Sequence, residues 1–321
     1  MNTKTILIVL GEPNSTFSEI LLKYFNARKF KEINKKIFLI GSYKLLEGQM
    51  KFLNYKIRIN KITNINNALS KRINILNIDY KFKKPFSDIS SFSNKYIEDC
   101  FNLSLKLIKN KKIHALINGP ISKRHFLKKK YPGITEYIAD KTGSKKPVML
   151  IFNKNLSVNP LTTHIPLKRV SNLIKKNKII DNVVQIYKFY KKRLGKTPKF
   201  AILGLNPHCE STDPISEEKR EIIPAVEYLK NKKINVEGPI AADTFFLEKN
   251  IKKFDVVVGM YHDQVLTPAK TLFKFNAINI TLGLPFLKIT PDHGPNFEMI
   301  GKNKSDPASI FYAFDFLNKI R

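Results

Sequence analysis

Residues 254–270 read FDVVVGMYHDQVLTPAK. The run from Val256 to Met260 is apolar without alternation, as in a strand covered on both faces of a parallel sheet. It empties into Tyr261, His262, Asp263 and Gln264, and Lys270 follows. A core strand that ends in such side chains is presenting them to something. The same pattern recurs in TILIVL (5–10), KIFLIG (36–41), IHALING (113–119), PVMLIF (147–152), KFAILGL (199–205) and AINITL (277–282).

Between these segments lie helical patterns. SEILLKYFNARKF follows the first strand, KYIEDCFNLSLKLIKN precedes the third, and NVVQIYKFYKKRLG ends on Gly195, a C-cap residue. In the last helix, SDPASIFYAFDFLNKI, Asp306 is placed to cap and Pro307 to occupy the first turn. Alternating strands and helices define an α/β protein with a mainly parallel sheet and helices on both sides. Residues 54–92, rich in Asn, Lys and Ile, read as short strands and a long excursion. There is no internal repeat and no clear linker.

The chain carries 57 Lys and Arg against 26 Asp and Glu, a formal charge of +31. Such a balance suits polyanions or an anionic substrate. The lysines, however, are scattered over polar helix faces and loops, and aromatics do not interleave with them as a nucleic-acid stacking platform requires. Cys100 and Cys209 lie in no CxxC pattern, so neither a disulfide framework nor a Cys-type zinc site is expected. No apolar run approaches membrane-span length, and the five apolar residues 6–10 before Gly11 and Pro13 read as a strand rather than a signal peptide. These features place the chain in the cytoplasm.

In open α/β sheets, ligands collect at the carboxyl ends of the strands. There the sequence puts Gly11-Glu12-Pro13-Asn14, Asn118-Gly119-Pro120, Thr163-His164, Asn206-Pro207-His208, Tyr261-His262-Asp263 and Leu284-Pro285. Three of the six histidines, His164, His208 and His262, occupy such positions. Three imidazoles on one edge would suit a divalent ion, with Asp243 adding a carboxylate or orienting a ligand. Taken alone, each reads better as a hydrogen-bonded structural histidine, and only the three at equivalent positions bring the metal reading level with that one. Lys123, Lys270 and Lys288 follow strands near the same edge and would hold a phosphate or carboxylate. No GxGxxG, GxxxxGK[ST] or GxSxG is present, which argues against a Rossmann cofactor site or a P-loop.

NGPISK, GITEYIA, TTHIPL, GLNPH, GPIAADTFF, YHDQ, NITLGLPF and DHG occur in this order over nearly the whole chain. In these motifs the sequence resembles the 4-hydroxythreonine-4-phosphate dehydrogenase family of pyridoxal phosphate biosynthesis. The resemblance implies a two-domain α/β/α fold akin to isocitrate and isopropylmalate dehydrogenases, which bind NAD without the Rossmann fingerprint. It implies one domain from residues 1–125 plus 280–321, a second from 126–279, and a cleft between them completed by the partner of a homodimer. It implies a divalent metal (Zn, Co, Mn or Mg) on His164, His208 and His262. Asp243 and Lys123 would be catalytic. Thr135, Lys270, Asn279 and Lys288 would bind substrate, and Asn206 and Asn279 would bind NAD. The implied reaction oxidises 4-phosphohydroxy-L-threonine to a β-keto acid that loses CO2 to give 3-amino-2-oxopropyl phosphate.

The chain departs from the family pattern at four places. Ile134 stands where the family has a substrate-contacting histidine, and Lys288 where it has arginine, a point charge replacing a bidentate fork. The Gly-rich turn after the first strand is GEPNSTFSEI, and the Gly/Glu-rich loop after NPH is CESTDP. These changes leave open a sister activity on phosphorylated threonate or erythronate, or a weakened homologue that binds polyanions. The intact histidine set speaks against the last.

Overall fold

The opening strand, β1 (Thr5–Val9), is apolar throughout, and Ile6 to Val9 are fully buried. Burying each such side chain is worth about 1.5–3 kcal/mol, so a strand of this kind belongs inside a sheet covered on both faces. The computed structural model describes residues 5–27, 36–69, 72–110, 113–127, 130–210, 215–274, 276–291 and 294–320. The chain divides into two units, Met1–Lys145 with Leu284–Asn318, and Lys146–Gly283 with Lys319–Arg321.

The first unit runs β1, α1 (Phe17–Asn26), β2 (Lys36–Gly41), α2 (Tyr43–Phe52), β3 (Ile59–Ile62), β4 (Ile73–Asn77), α3 (Asn94–Asn110), β5 (Ala115–Asn118) and α4 (Ile134–Lys141). The second runs β6 (Val148–Phe152), β7 (Ser157–Thr162), α5 (Val170–Leu173), α6 (Lys176–Phe189), β8 (Phe200–Leu203), α7 (Ile223–Asn231), β9 (Val236–Ile240), α8 (Ala242–Phe245), α9 (Glu248–Ile251), β10 (Val256–Tyr261), α10 (His262–Phe273) and β11 (Ile278–Leu282). The chain then returns to the first unit with β12 (Leu287–Pro291) and α11 (Ala308–Lys319).

In the first unit the strand order is β3-β4-β2-β1-β5-β12, and every pairing is parallel. The short strands expected within 54–92 are β3 and β4. α3 buries Tyr96, Ile97, Cys100, Phe101 and Ser104, the stripe that a 3.6-residue period lays on one face. α4 adds Tyr137 and Ile138 to the same core. That packing carries the first unit to residue 145, further than the 1–125 read from the sequence, and its return begins at 284 rather than 280.

In the second unit the order is β11-β6-β7-β10-β8-β9. β11 with β6 and β6 with β7 are antiparallel, and β7, β10, β8 and β9 pair in parallel. A core of Val158, Ala201, Leu203, Phe245, Val257 and Val265 lies beneath them. Two of the expected helix ends hold. Gly195 is left-handed (φ 66°) after a π-helical turn that extends α6, and the Asp306 carboxylate accepts from the Ala308 amide at 2.8 Å. Among the described residues no helix is long and apolar enough to cross a membrane.

Candidate active site

Four neighbouring parallel strands of the second unit deliver the candidate metal ligands. β7 leads to His164, β10 to His262, β8 to His208, and β9 to Asp243 in α8. Because the strands are parallel, all four side chains leave from carboxyl ends on one edge. Tyr261 pairs with Thr162, so His262 and His164 emerge side by side.

The imidazoles of His164 and His262 lie 5.4 Å apart, centroid to centroid. His208 Nδ1 is 3.5 Å from Asp243 Oδ2. Nitrogen or oxygen donors about 2.0–2.1 Å from one tetrahedral ion put two ring centroids about 5 Å apart and two donor atoms about 3.3 Å apart. Each pair therefore has the spacing of two ligands sharing an ion. Among the described residues no three His, Cys, Asp or Glu gather into one such group, so the structure brings the four together as two pairs. His262 Nδ1 is 2.6 Å from Asp263 Oδ1. A carboxylate on one ring nitrogen fixes the ring and leaves the other for a metal.

The loops under these ligands are anchored from below. Gln264 Oε1 accepts from the Met260 amide at 2.7 Å, and its Nε2 donates to the Gly204 carbonyl at 2.8 Å, which clamps the ends of β10 and β8 together. A Cβ on Gly259 would sit 2.4 Å from the Val265 side chain, so only glycine lets α10 fold back on β10 here. Glu218 is buried and accepts from the Leu205 and Asn206 amides at 2.7 and 2.9 Å and from Asn206 Nδ2 at 2.7 Å. Burial alone would raise its pKa, but these donors outweigh burial and hold it below the usual carboxylate value. Asn206 Nδ2 also reaches Glu217 at 3.1 Å. The Asn206 amide nitrogen, read from the sequence as a cofactor contact, is thus engaged in holding the turn that carries His208.

Lys270 lies two turns beyond His262 on α10 and is exposed. Asn279 projects from β11, and its buried Oδ1 has no hydrogen-bond partner among the described residues. A buried acceptor left open is costly unless something donates to it, which suits a position expected to contact substrate or cofactor.

The remaining candidates belong to the first unit. Lys288, the second residue of β12, is fully buried. Its Nζ donates to Thr290 Oγ1 at 2.9 Å and to Thr135 Oγ1 at 3.4 Å, and Thr290 Oγ1 donates to Asn118 Oδ1 at 2.9 Å. Burial lowers the Lys288 amine to about 7, and the Glu136 carboxylate acts in the opposite direction. Asn118, Thr290, Lys123, Arg124 and Ile134 line a cavity of about 580 Å³. Ile134 gives that wall an apolar patch where imidazole was expected. In the altered turn after β1, Glu12 is buried and takes hydrogen bonds from the Asn14 amide at 3.2 Å and from Ser93 Oγ at 3.0 Å. Of CESTDP, residues 211–214 lie outside the described residues, as do Asp292 and His293 of DHG.

Sequence reasoning did not single out Glu217, Glu218 and Thr290 as site-building residues. The paired acids in SEEKREII (216–223) were the available signal, but nothing local distinguishes them from a solvated helix start.

Two α/β units with a mainly parallel topology define the fold class, and ligand-type side chains stand at the strand ends of the second unit. Over 98% of the chain and 85% of the other, the fold matches an isocitrate dehydrogenase from Methylococcus capsulatus with a TM-score of 0.51 at 9% identity. The family model described as pyridoxal phosphate biosynthetic protein PdxA matches residues 33–317, and the chain belongs to that family. It is 39% identical to the 4-hydroxythreonine-4-phosphate dehydrogenase of Sulfurihydrogenibium sp. (strain YO3AOP1), covering 97% of this chain and 96% of that one. It is 31% identical to a putative D-threonate 4-phosphate dehydrogenase of Oceanobacillus iheyensis, covering 98% and 97%. A crystal structure of 4-hydroxythreonine-4-phosphate dehydrogenase from Klebsiella pneumoniae superposes with a TM-score of 0.83 at 25% identity, covering 98% and 99%.

Proposed function

We propose that this chain catalyses the NAD- and metal-dependent oxidation of 4-phosphohydroxy-L-threonine to 2-amino-3-oxo-4-phosphooxybutanoate, which decarboxylates to 3-amino-2-oxopropyl phosphate. The observation that carries the reading is the emergence of His164, His208, His262 and Asp243 from four adjacent parallel strand ends, spaced in ligand-like pairs. A divalent ion on the three histidines would polarise the substrate's secondary hydroxyl, and NAD would accept the hydride from its carbon.

The chain's own groups do the rest. Asp263 holds the His262 ring in one orientation. Lys288 and Thr135 offer a charge-assisted donor and a hydroxyl to an anionic group of the substrate. Lys270 supplies a second cation and Asn279 an open acceptor for a substrate or cofactor N–H or O–H. Lys123, which lines the first-unit cavity, would exchange the proton released at the hydroxyl, and Asp243 would share that task. Once the ketone has formed, the carboxylate beside it leaves as CO2. Its bonding electrons pass to the carbonyl, and a proton then completes the product.

The partner of a homodimer would complete the active site. Leu167, Leu247 and Leu272 are 68%, 51% and 45% exposed, within a few residues of His164, Asp243 and Lys270. Apolar surface beside the candidate ligands is what a second copy would cover, and the two pairs within one chain leave room for donors from that copy. The reaction belongs in the cytoplasm.

Ile134 and Lys288 favour a second reading, oxidation of D-threonate 4-phosphate, which lacks the amino group. An apolar contact at Ile134 is compatible with a substrate that needs no imidazole partner there.

The test is NADH formation with 4-phosphohydroxy-L-threonine, NAD and added Zn, Co, Mn or Mg, beside an EDTA-treated sample and His262→Ala. Turnover lost in both controls is the expected result. Bound metal with no turnover on this substrate sinks the proposal, and turnover on D-threonate 4-phosphate instead establishes the second reading.

A further inference from the structure

A second cavity of about 400 Å³ opens in the first unit, lined by Asn94, Lys95, Glu98, Phe126, Leu127, Lys130, Tyr131, Tyr137 and Lys141. Its volume falls in the range of small-molecule sites, about 300–1,000 Å³, and none of its lining residues has a part in the reaction proposed above. Its walls are aromatic. Tyr137 meets Phe126 at 5.3 Å and Tyr131 at 5.5 Å, both edge to face. Its rim is basic. Lys130 Nζ lies 5.4 Å from the Tyr131 ring centroid and Lys141 Nζ 5.7 Å from that of Tyr137. Among the described residues neither lysine is paired with a carboxylate, whereas Lys95 is held by Asp99 at 2.9 Å.

Two polar atoms in this lining are buried and unpartnered among the described residues, Tyr137 Oη and Asn94 Oδ1. Tyr137 is only 6% exposed. The Asn94 orientation is settled, because its Nδ2 donates to the His125 carbonyl at 2.9 Å, which leaves Oδ1 as an open acceptor. Burial first, then the nearby Glu98 carboxylate, push the Tyr137 phenol up to about 12, so it is a neutral donor at working pH. Tyr131 is already committed, donating to Asp140 at 2.5 Å. A buried hydroxyl and a buried amide oxygen left open at one cavity call for a partner.

The lining specifies that partner's chemistry. The rings ask for a flat apolar body. Lys130, Lys141 and the Tyr137 hydroxyl ask for an anion that accepts several hydrogen bonds, such as a phosphate. Asn94 Oδ1 and the Glu98 carboxylate ask for an N–H or O–H donor and disfavour a ligand that is anionic throughout. We propose that this cavity binds a small ring-bearing monophosphate that also carries an amino or hydroxyl donor. The site is separate from the candidate active site, although both use α4, which carries Thr135 toward Lys288 and Tyr137 and Lys141 toward this cavity.

The probe is 4-aminophenyl phosphate, titrated into the full-length protein by saturation-transfer NMR, with phenyl phosphate and inorganic phosphate as separate arms. Saturable binding is expected, weaker for phenyl phosphate and weakest for inorganic phosphate. The double variant Lys130→Ala, Lys141→Ala should bind the probe about tenfold or more weakly, and Tyr137→Phe several-fold more weakly. Tyr137→Phe removes only a hydroxyl that has no partner among the described residues, so it folds and keeps the comparison interpretable. Lys288→Met should leave the probe's affinity unchanged. Equal affinity in the double variant and Tyr137→Phe, no saturation in the wild type, or loss confined to Lys288→Met would each overturn the assignment. The last would place the probe at Lys288.

Discussion

The two sets of candidate site residues are built by opposite means. In the first unit, Lys288 is sealed inside a strand, and its ammonium already meets Thr290 and Thr135. In the second, His208 stands 72% exposed on a loop, His262 is one-third exposed at a helix start, and the candidate ligands form two pairs. The difference follows from chemistry. A lysine and hydroxyls can satisfy one another, so the polypeptide alone can organise them. Beneath the histidines the protein ties the strand ends and the Asn206 turn together through Gln264 and Glu218, and the imidazoles above stay accessible.

The largest effect should come from removing a ligand. His262→Ala should lower turnover by about 10³-fold or more, since the ion supplies several kcal/mol. Metal content measured on the same sample should fall in step. Retained metal with lost turnover would move His262 from ligand to another role.

Lys288→Met should weaken substrate binding by about 100-fold, read as a rise in KM. Its stability signature has the opposite sign. The amine titrates at 10.5 when unfolded and at about 7 when folded. Between those values the unfolded chain binds the extra proton, so this group's contribution rises with pH from about 7 to 10.5 and levels off beyond. Below pH 7 the buried amine costs stability in full. Urea midpoints should therefore favour the Met variant at pH 7, with the gap closing toward pH 10. An anionic substrate binds the protonated amine, so wild-type KM should climb above pH 7. A gap independent of pH would show that Lys288 is not desolvated as the fold implies.

Asp263→Asn should reduce metal affinity by about tenfold while the fold persists, the usual effect of removing a carboxylate that orients a ligating histidine. Equilibrium dialysis against a competing chelator measures it. The smallest expected effect, a few-fold, belongs to Ile134→His. If the apolar wall at 134 tunes substrate choice, kcat/KM should shift toward 4-phosphohydroxy-L-threonine and away from D-threonate 4-phosphate. Equal shifts for both would remove Ile134 from specificity.

Much of this architecture is legible in local pattern. The unbroken apolar runs of β1, β5, β8 and β10 announce buried parallel strands, and three strand ends carry the histidines. The strands that escape such reading share one property: each breaks a local rule. β7 contains Asn159 and Pro160, and Pro lacks the amide that a central strand uses, yet it pairs on both sides. β9 carries Gly238-Pro239. β12 holds a fully buried lysine, Lys288. Their pairing is enforced by neighbours far away in the chain.

What the sequence determined by itself is the α/β class, the edge on which chemistry-bearing residues emerge, and the family, because periodicity and ordered motifs are properties of short segments. Tertiary structure alone decided the environment of each group. It engaged the Asn206 amide with Glu217 and Glu218, left Asn279 Oδ1 and Tyr137 Oη without a partner among the described residues, and divided four metal-ligand candidates into two pairs. It also buried Lys288 against Thr135, 153 positions away in sequence. Burial and hydrogen-bond satisfaction depend on what long-range folding places around an atom, and no local window contains that information.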